Sequence, residues 1–277
     1  MVANHFRSIM PNIDGPTFLK RKLIVHAILS IIWYGVEIWA SSCNKKNINL
    51  ITATLRPLKR SLSSAYKTVS NNVLNVITDI PPTDLLIERK LRTIRKQEDR
   101  LEIEIDINKR WNDRWTEEGL QNKDKWIHKI LPSLQPWIER THGDVDFYLT
   151  QFFSGHGSFN SYLSRFKLVP SPLCPLCLSA PDTPEHTFFG CTHIGEDKKD
   201  LETKLHIKIS PNNIVKIMLE SQENWNLIQT YITKTLKRKI TLNNTTKSNH
   251  SSTPSVAAGE KSPNRDDSGT IRADMQP

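Results

Sequence analysis

The chain has 277 residues, of which 37% are apolar and 24% charged, and its formal net charge is +9. This length and composition exclude a wholly disordered chain and allow one good hydrophobic core or two modest ones. The first twenty residues lack a continuous apolar stretch, so we expect an intracellular protein, nuclear or cytoplasmic, rather than a secreted one. Residues 1–70 carry ten Lys and Arg against two acidic residues, which favours RNA or DNA as the partner.

The first predicted element is the apolar run at residues 23–40, LIVHAILSIIWYGVEIWA. It approaches the length of a membrane span, but His26, Ser30 and Glu37 interrupt it, and the basic flank lies mainly on one side. Of the two alternatives, a buried helix is therefore favoured over a membrane span. We predict a helix that is apolar on most faces and lies in a core.

A second helix is predicted over residues 47–67, with Pro57 bending or interrupting it. Ser70 is placed to cap a third helix that continues through residue 77. The basic residues of the first 70 positions are the predicted phosphate contacts, because clustered cations release counterions from nucleic acid. These predicted nucleic-acid-binding residues are Lys20, Arg21, Lys22, Arg56, Lys59, Arg60 and Lys67.

One long helix is predicted from residue 85 to about residue 116, with Thr83 or Asp84 as its cap. Acidic and basic residues alternate between its apolar positions, which is typical of a solvated face. Trp111 and Trp115 lie one helical turn apart beside arginines, and Trp126 and Trp137 follow. Such tryptophans either stack on nucleic acid or pack a helix against its neighbour, and we favour packing.

Three of the four cysteines lie in 174-CPLCLSAPDTPEHTFFGC-191. The spacing Cys174-x2-Cys177-x8-His186-x4-Cys191 supplies two pairs of soft ligands, each pair within reach of one short turn. This pattern predicts a structural zinc site of the Cys3His kind. Because all four ligand positions are filled by the protein, none is left for a catalytic water.

Two alternatives to this ligand set stay open. His193 could replace His186, but only one residue separates it from Cys191, which makes this ligand spacing strained. A disulfide or buried apolar cysteines are less favoured, because Cys43 alone lies outside the cluster. Phe188 and Phe189 are expected to pack beneath the metal.

The glycines of 155-GHG-157 favour a turn, and we interpret His156 as structural rather than catalytic or metal-binding.

Another helical segment is predicted over residues 210–240, and the polar residues 241–277 are predicted to be disordered. The fold class is therefore mainly α, with a small Cys3His module and a disordered tail. We divide the chain into residues 1–80, 81–146, 147–195, 196–240 and 241–277.

Several separated motifs occur in the same order as in one known family. They are 33-WYGVEIW-39, 65-AYKTVS-70, 80-IPPTDLLIER-89 and 147-FYLTQFFSGHGSFNSYLSRF-166, followed by the Cys3His spacing. From about residue 15 to residue 195, the chain resembles the C-terminal part of LINE-type, non-LTR retrotransposon reverse transcriptases. The resemblance implies that the first three divisions are the end of the polymerase domain with a thumb-like helical bundle, a helical connector, and a zinc knuckle.

One departure from the family pattern concerns catalysis. The polymerase chemistry needs an aromatic-x-Asp-Asp turn that holds two Mg²⁺ ions. The only adjacent aspartates here are Asp266 and Asp267, in the predicted disordered tail. The resemblance thus implies a fragment that lacks the Mg²⁺ core, binds RNA or DNA and is inactive as a polymerase on its own, so we assign no catalytic residue. A stand-alone, host-adopted zinc module that binds nucleic acid or protein is the alternative.

Overall fold

The computed structural model describes residues 10–11, 15–96, 98–122 and 125–250. Within these ranges the regular elements are helices, and an isolated β-bridge joins Leu173 to Pro181, which confirms the mainly α prediction. In chain order the α-helices are α1 (Phe18–Ile32), α2 (Val36–Trp39), α3 (Lys45–Ser63), α4 (Asn71–Thr78), α5 (Thr83–Arg95), α6 (Arg100–Gln121), α7 (Trp126–Ile130), α8 (Gln135–Glu139), α9 (Phe147–Ser154), α10 (Asn160–Leu163), α11 (Gly195–Leu205), α12 (Ile214–Glu220) and α13 (Gln222–His250).

Helices α1, α2, α3 and α5 form the N-terminal bundle. Leucines recur along α3 at intervals of three and four residues, so one face of this helix is apolar and turns inward. The bundle has a small core of its own, formed by Phe18, Val25, Leu29, Trp33, Val36, Leu55, Leu58, Leu62, Ile80, Leu86 and Ile87.

The bundle covers only one face of residues 23–40. Leu23 is 73% exposed, Ile31 75% and Tyr34 87%, so the prediction of a helix buried on most faces is wrong. The run also divides at Gly35, whose φ of 63° lies in the left-handed region. Within the described residues, no single helix is both long enough and apolar enough to cross a membrane. Helix α1 and Val36–Ser42 reach that length and apolarity only together, as a pair bent by 51°.

The basic segment that follows folds close to its prediction. Helix α3 starts two residues before the predicted start and ends four residues before the predicted end, and it continues through Pro57 without interruption. Ser70 caps α4, as predicted, by accepting a hydrogen bond from the backbone N–H of Val73.

The single long helix predicted over residues 85–116 is wrong. Lys96 adopts a left-handed conformation with a φ of 52° and ends α5, and α6 begins at Arg100. The break allows the two halves to bury different faces. Ile87 packs in the core of the N-terminal bundle, whereas Ile103 and Ile107 pack in a second core.

The charges on α5 and α6 pair across the two helices. Asp84 contacts Arg114 at 2.6 Å, and Glu88 contacts Arg110. The residue numbers of these pairs increase along α5 while they decrease along α6, so the two helices run antiparallel. The alternating charges therefore form ion pairs between neighbouring helices rather than a simple solvated face.

The remaining helices and the Cys3His segment share one larger core and form the C-terminal body, which comprises α4 and α6–α13. Three indole N–H groups donate to backbone carbonyls: Trp115 to Leu131 at 2.8 Å, Trp126 to Phe152 at 2.6 Å and Trp137 to Val76 at 2.9 Å. Trp111 is 4% exposed. These contacts confirm the packing interpretation of the tryptophans. The core runs across the predicted divisions at residues 146 and 195.

Helix α13 is longer than predicted. It spans Gln222–His250 and is separated from α12 by Ser221. Residues 241–250, predicted to be disordered, are therefore helical, and this part of the prediction is wrong. Residues 251–277, which include Asp266 and Asp267, lie outside the described residues.

Candidate metal centre and basic surface

The four predicted metal ligands come together in the fold. One donor atom from each of Cys174, Cys177, His186 and Cys191 lies within 4.8 Å of the others. The two sulfurs of Cys174 and Cys191 are 3.9 Å apart, and Cys177 Sγ lies 3.2 Å from His186 Nε2. Ligand atoms at about 2.0–2.3 Å from a tetrahedral zinc ion would be roughly 3.4–3.8 Å from one another. The donor set and its spacing therefore fit a metal ion.

Two backbone turns aim the ligand pairs. In the first, Leu178 adopts a φ of 57° and its N–H donates to Cys174 O at 2.8 Å. In the second, His186–Gly190 forms a π-helical turn, which Cys191 closes by donating its N–H to His186 O at 2.7 Å. Single π-helical turns are frequent at functional sites.

The thiols of the first pair lie in different environments. Cys174 is fully buried, and burial raises the pKa of its thiol to about 12. The Ser179 hydroxyl donates to Cys177 Sγ at 3.2 Å, and this contact is the largest cause that lowers the pKa of Cys177 to about 6. A coordinated metal cation would outweigh the burial of Cys174, because a thiol that binds a metal is deprotonated.

His186 rather than His193 completes the group of donor atoms. His193 is exposed and does not belong to the cluster of donor atoms. The described cysteines form no disulfide. Phe188 is 1% exposed and packs with Phe152 in the core of the C-terminal body, as expected for a residue beneath the site, and Phe189 packs partly against the same core.

A buried ion pair that the sequence analysis missed connects this module to α13. Lys239 Nζ lies 2.6 Å from Asp182 Oδ1, and both side chains are 0% exposed. The other carboxylate oxygen of Asp182 accepts the N–H of Asn160 at 2.7 Å, and Thr187, next to the ligand His186, donates its hydroxyl to Oδ1 at 2.8 Å. The spacing signalled the burial of Lys239 but not its partner, since Lys239 follows Ile232 and Leu236 at helical intervals on the buried face of α13.

His156 has the structural role that its flanking glycines indicate. Gly155 and Gly157 have φ values of 68° and 120°, as the predicted turn requires. His156 Nδ1 lies 2.9 Å from the Thr68 hydroxyl, and its ring stacks on Tyr162 with a centroid distance of 4.7 Å. Burial lowers the pKa of His156 to about 4, so the ring is neutral near pH 7.

Two of the predicted phosphate contacts are wrong because their side chains are buried. Arg21 is 4% exposed and donates to backbone carbonyls, among them Pro16 at 2.8 Å and Ser61 at 2.9 Å. Lys59 is 3% exposed and donates to Asn75 Oδ1 at 2.6 Å. Burial lowers the pKa of Lys59 to about 7.

The other five basic residues differ in exposure. Arg56 donates Nη2 to Lys67 O at 2.9 Å and to Val69 O at 2.8 Å, so its first role is to hold the loop after α3. Arg60 and Lys22 are half-buried, whereas Lys20 and Lys67 are exposed. For these five residues, contact with nucleic acid stays a prediction.

Two segments without acidic residues meet next to Lys67. Residues 38–78 contain six Lys and Arg and no Asp or Glu, and residues 147–181 contain two basic residues and no acid. The Thr68 hydroxyl joins them through His156 and through Tyr162 OH at 2.5 Å. We call the exposed side chains on either side of this contact the joint basic surface: Lys67, Arg165, Phe166 and Lys167.

The comparisons with known proteins give one distant relative. The Retrovirus-related Pol polyprotein from type-1 retrotransposable element R1 4 of Nasonia vitripennis is 22% identical to the chain over 150 residues. The match covers 53% of this chain and 36% of that protein, so the chain corresponds to about a third of the relative's length. No family model and no solved structure matches. The similarity supports a retrotransposon-related origin.

Proposed function

We propose that this chain is a nucleic-acid-binding part of a retrotransposon reverse-transcriptase polyprotein, intracellular, with a structural zinc ion in its Cys3His module. The distant similarity supports the origin, and the donor set Cys174, Cys177, His186 and Cys191 supports zinc, since thiolate and imidazole are the ligands that zinc prefers. Zinc would stabilise the turns that carry its ligands and would perform no chemistry, because the protein supplies all four ligands.

The joint basic surface is the observation that carries the nucleic-acid part of the proposal. An ordinary protein surface mixes both charge signs, and nearby carboxylates would repel phosphates. Here the basic side chains stand on two segments that contain no carboxylate and that are hydrogen-bonded to each other through Thr68. This arrangement attracts a polyanion and releases its counterions on binding.

A salt titration of RNA and DNA binding tests this proposal. Replacing Lys67, Arg165 and Lys167 by glutamine should weaken binding to every sequence and reduce the slope of log affinity against log salt by roughly two units, since each phosphate contact contributes about 0.7–0.9. The matched control replaces three exposed lysines of α11 and α12, Lys199, Lys204 and Lys216, by glutamine. An equal slope for both triple variants would contradict the proposal, whereas protein capture without nucleic-acid binding would favour the adaptor alternative.

No polymerase activity is proposed for this chain, because no aromatic-x-Asp-Asp sequence occurs in it. We expect no template-directed nucleotide incorporation with Mg²⁺ or Mn²⁺. Incorporation by a preparation free of contaminating polymerase, measured by primer extension on RNA templates, would overturn this expectation.

A further inference from the structure

The exposed aromatic ring of the joint basic surface ends a row of three stacked or tilted rings. His156 stacks on Tyr162 at 4.7 Å with an interplanar angle of 24°, and the Tyr162 ring lies 5.2 Å from the Phe166 ring. Tyr162 is 7% exposed, but Phe166 is 49% exposed. Only the last ring of the row therefore offers a large area to a ligand.

The row is held in place by the contact between the two acid-free segments. Thr68 lies within hydrogen-bonding distance of both His156 Nδ1, at 2.9 Å, and Tyr162 OH, at 2.5 Å. Phe166 itself ends the 3-10 turn Ser164–Phe166, and the left-handed Lys167, with a φ of 56°, turns the chain away after it. A fixed ring loses little conformational freedom when it binds a planar partner.

The neighbours of Phe166 are basic on both sides along the chain. Arg165 and Lys167 are exposed, and no acidic residue occurs between residues 147 and 181. Single exposed apolar residues are normal on protein surfaces, and Leu178, 70% exposed in the same module, belongs to no ring row. An aromatic ring between cations is the combination that binds unpaired bases, because the ring stacks on the base and the cations contact the phosphates.

We propose that Phe166 is a stacking platform for one base of single-stranded nucleic acid and makes the joint basic surface selective for single strands over duplexes. This inference rests on the proposed nucleic-acid binding. Bases in a duplex are stacked on each other and are not accessible to a side-chain ring, whereas phosphates are accessible in both forms. The cations thus set the affinity for both forms, and Phe166 adds affinity only where a base is free.

The test measures fluorescence anisotropy of labelled strands of about 12 nucleotides, a length within the range of single-strand binding sites. Four probes share one backbone length: a single-stranded DNA, the RNA of the same sequence, the DNA duplex, and a single strand in which every base is replaced by an abasic sugar. Phe166→Ala should weaken binding to the single-stranded DNA and RNA about tenfold. It should leave the duplex and the abasic strand unchanged, and Phe166→Trp should retain the wild-type preference.

Ile207→Ala is the matched control for loss of an exposed apolar side chain, because Ile207 is 47% exposed, and it should change no affinity. Zinc content and circular dichroism check that each variant is folded. Equal effects of Phe166→Ala on all four probes, or no effect on any, would contradict the proposed stacking role of Phe166. The proposed nucleic-acid binding would still be supported if the salt titration gives the expected slopes. If wild type binds none of the probes, the proposed function fails and the platform fails with it.

Discussion

The C-terminal body joins α6–α9, the Cys3His segment and α13 in one aromatic-rich core, whereas the N-terminal bundle has a smaller core, and among the described residues one side of α1 and α2 is exposed. The large exposed apolar side chains of the bundle are Leu19, Leu23, Ile31, Tyr34, Ile38, Leu50 and Ile94. The fold of the body can therefore be stabilised by its own core and its candidate metal site. The bundle exposes an apolar surface of the kind that marks interaction sites or aggregation.

The two regions also bury a lysine differently. Lys239 in the body is paired with the carboxylate of Asp182, but Lys59 in the bundle donates to the neutral amide of Asn75, its one hydrogen-bond acceptor among the described residues. Lys59 lies in the acid-free segment 38–78, where no carboxylate is present in the sequence. Within the described part of the chain, this buried ammonium group therefore forms no ion pair.

Metal removal should have the largest effect and should separate the two regions. Apparent zinc binding by small modules is worth roughly 10–16 kcal/mol, so a chelator or Cys174→Ser should unfold the segment around residues 173–191 and loosen the body's core. Hydrogen exchange should show lost protection there and unchanged protection in α3. Cys43→Ser, which removes the thiol outside the cluster, is the control and should keep both metal and protection. A wild-type protein without bound metal in native mass spectrometry would contradict the zinc assignment.

Removing the Lys239 ammonium should come second. Lys239→Met leaves the Asp182 carboxylate buried without its partner, which should lower the free energy of unfolding by about 3–5 kcal/mol. Combining it with Asp182→Asn should recover much of this loss, because no charge then remains buried. Lys237→Met, at an exposed lysine of the same helix, should change stability little. Urea denaturation of the four proteins measures these differences, and a double variant as unstable as Lys239→Met would show that the charge pair is not the cause.

The sequence predicted the grouping of the four candidate metal ligands because short-range spacing determines it. Cys174, Cys177, His186 and Cys191 lie in two local turns, so no knowledge of the distant packing was needed. The ion pair with Lys239 was missed because it joins positions 57 residues apart, and only the tertiary fold brings them together. Arg21 and Lys59 were misassigned for the same reason, since their charge alone does not reveal which helix face the core covers.

The long helix was mispredicted because local periodicity continues through its break. The charges at 84, 88 and 92 and those at 106, 110 and 114 each repeat every fourth residue, as expected in any helix. The helix ends at the left-handed Lys96. Beyond this break the chain turns back, so that Leu85 of α5 shares a core with Ile103 and Ile107 of α6, and a local pattern does not contain this packing.

The pH dependence of stability should identify the unpaired lysine of the bundle. The pKa of Lys59 is lowered from 10.5 to about 7, so above pH 7 the unfolded chain binds more protons than the folded one. The buried Lys59 therefore lowers the free energy of unfolding at pH 7. As the pH rises above 7, the free energy of unfolding should increase by up to about 1.4 kcal/mol per pH unit. Lys59→Met should remove this rise, and Lys67→Met, at an exposed site, should retain it. Thermal or urea unfolding between pH 7 and 9.5 measures the slopes, below the range in which buried tyrosines titrate. Parallel slopes for wild type and Lys59→Met would show that Lys59 keeps an ordinary pKa.

The ion pairs between α5 and α6 should give the smallest effect, but they test whether the helix break exists. In one continuous helix, residues 84 and 114 would be about 45 Å apart and could not interact. In the antiparallel pair, Asp84 and Arg114 are in contact at 2.6 Å. A double-mutant cycle with Asp84→Ala and Arg114→Ala should therefore give a coupling energy of about 0.2–1 kcal/mol, the range for exposed pairs, and high salt should reduce it.

The matched cycle combines Asp84→Ala with Lys109→Ala and should give no coupling, because Lys109 is an exposed lysine of α6 in no described ion pair with Asp84. Coupling of equal size in both cycles would indicate a general charge effect and not the contact that places α5 against α6.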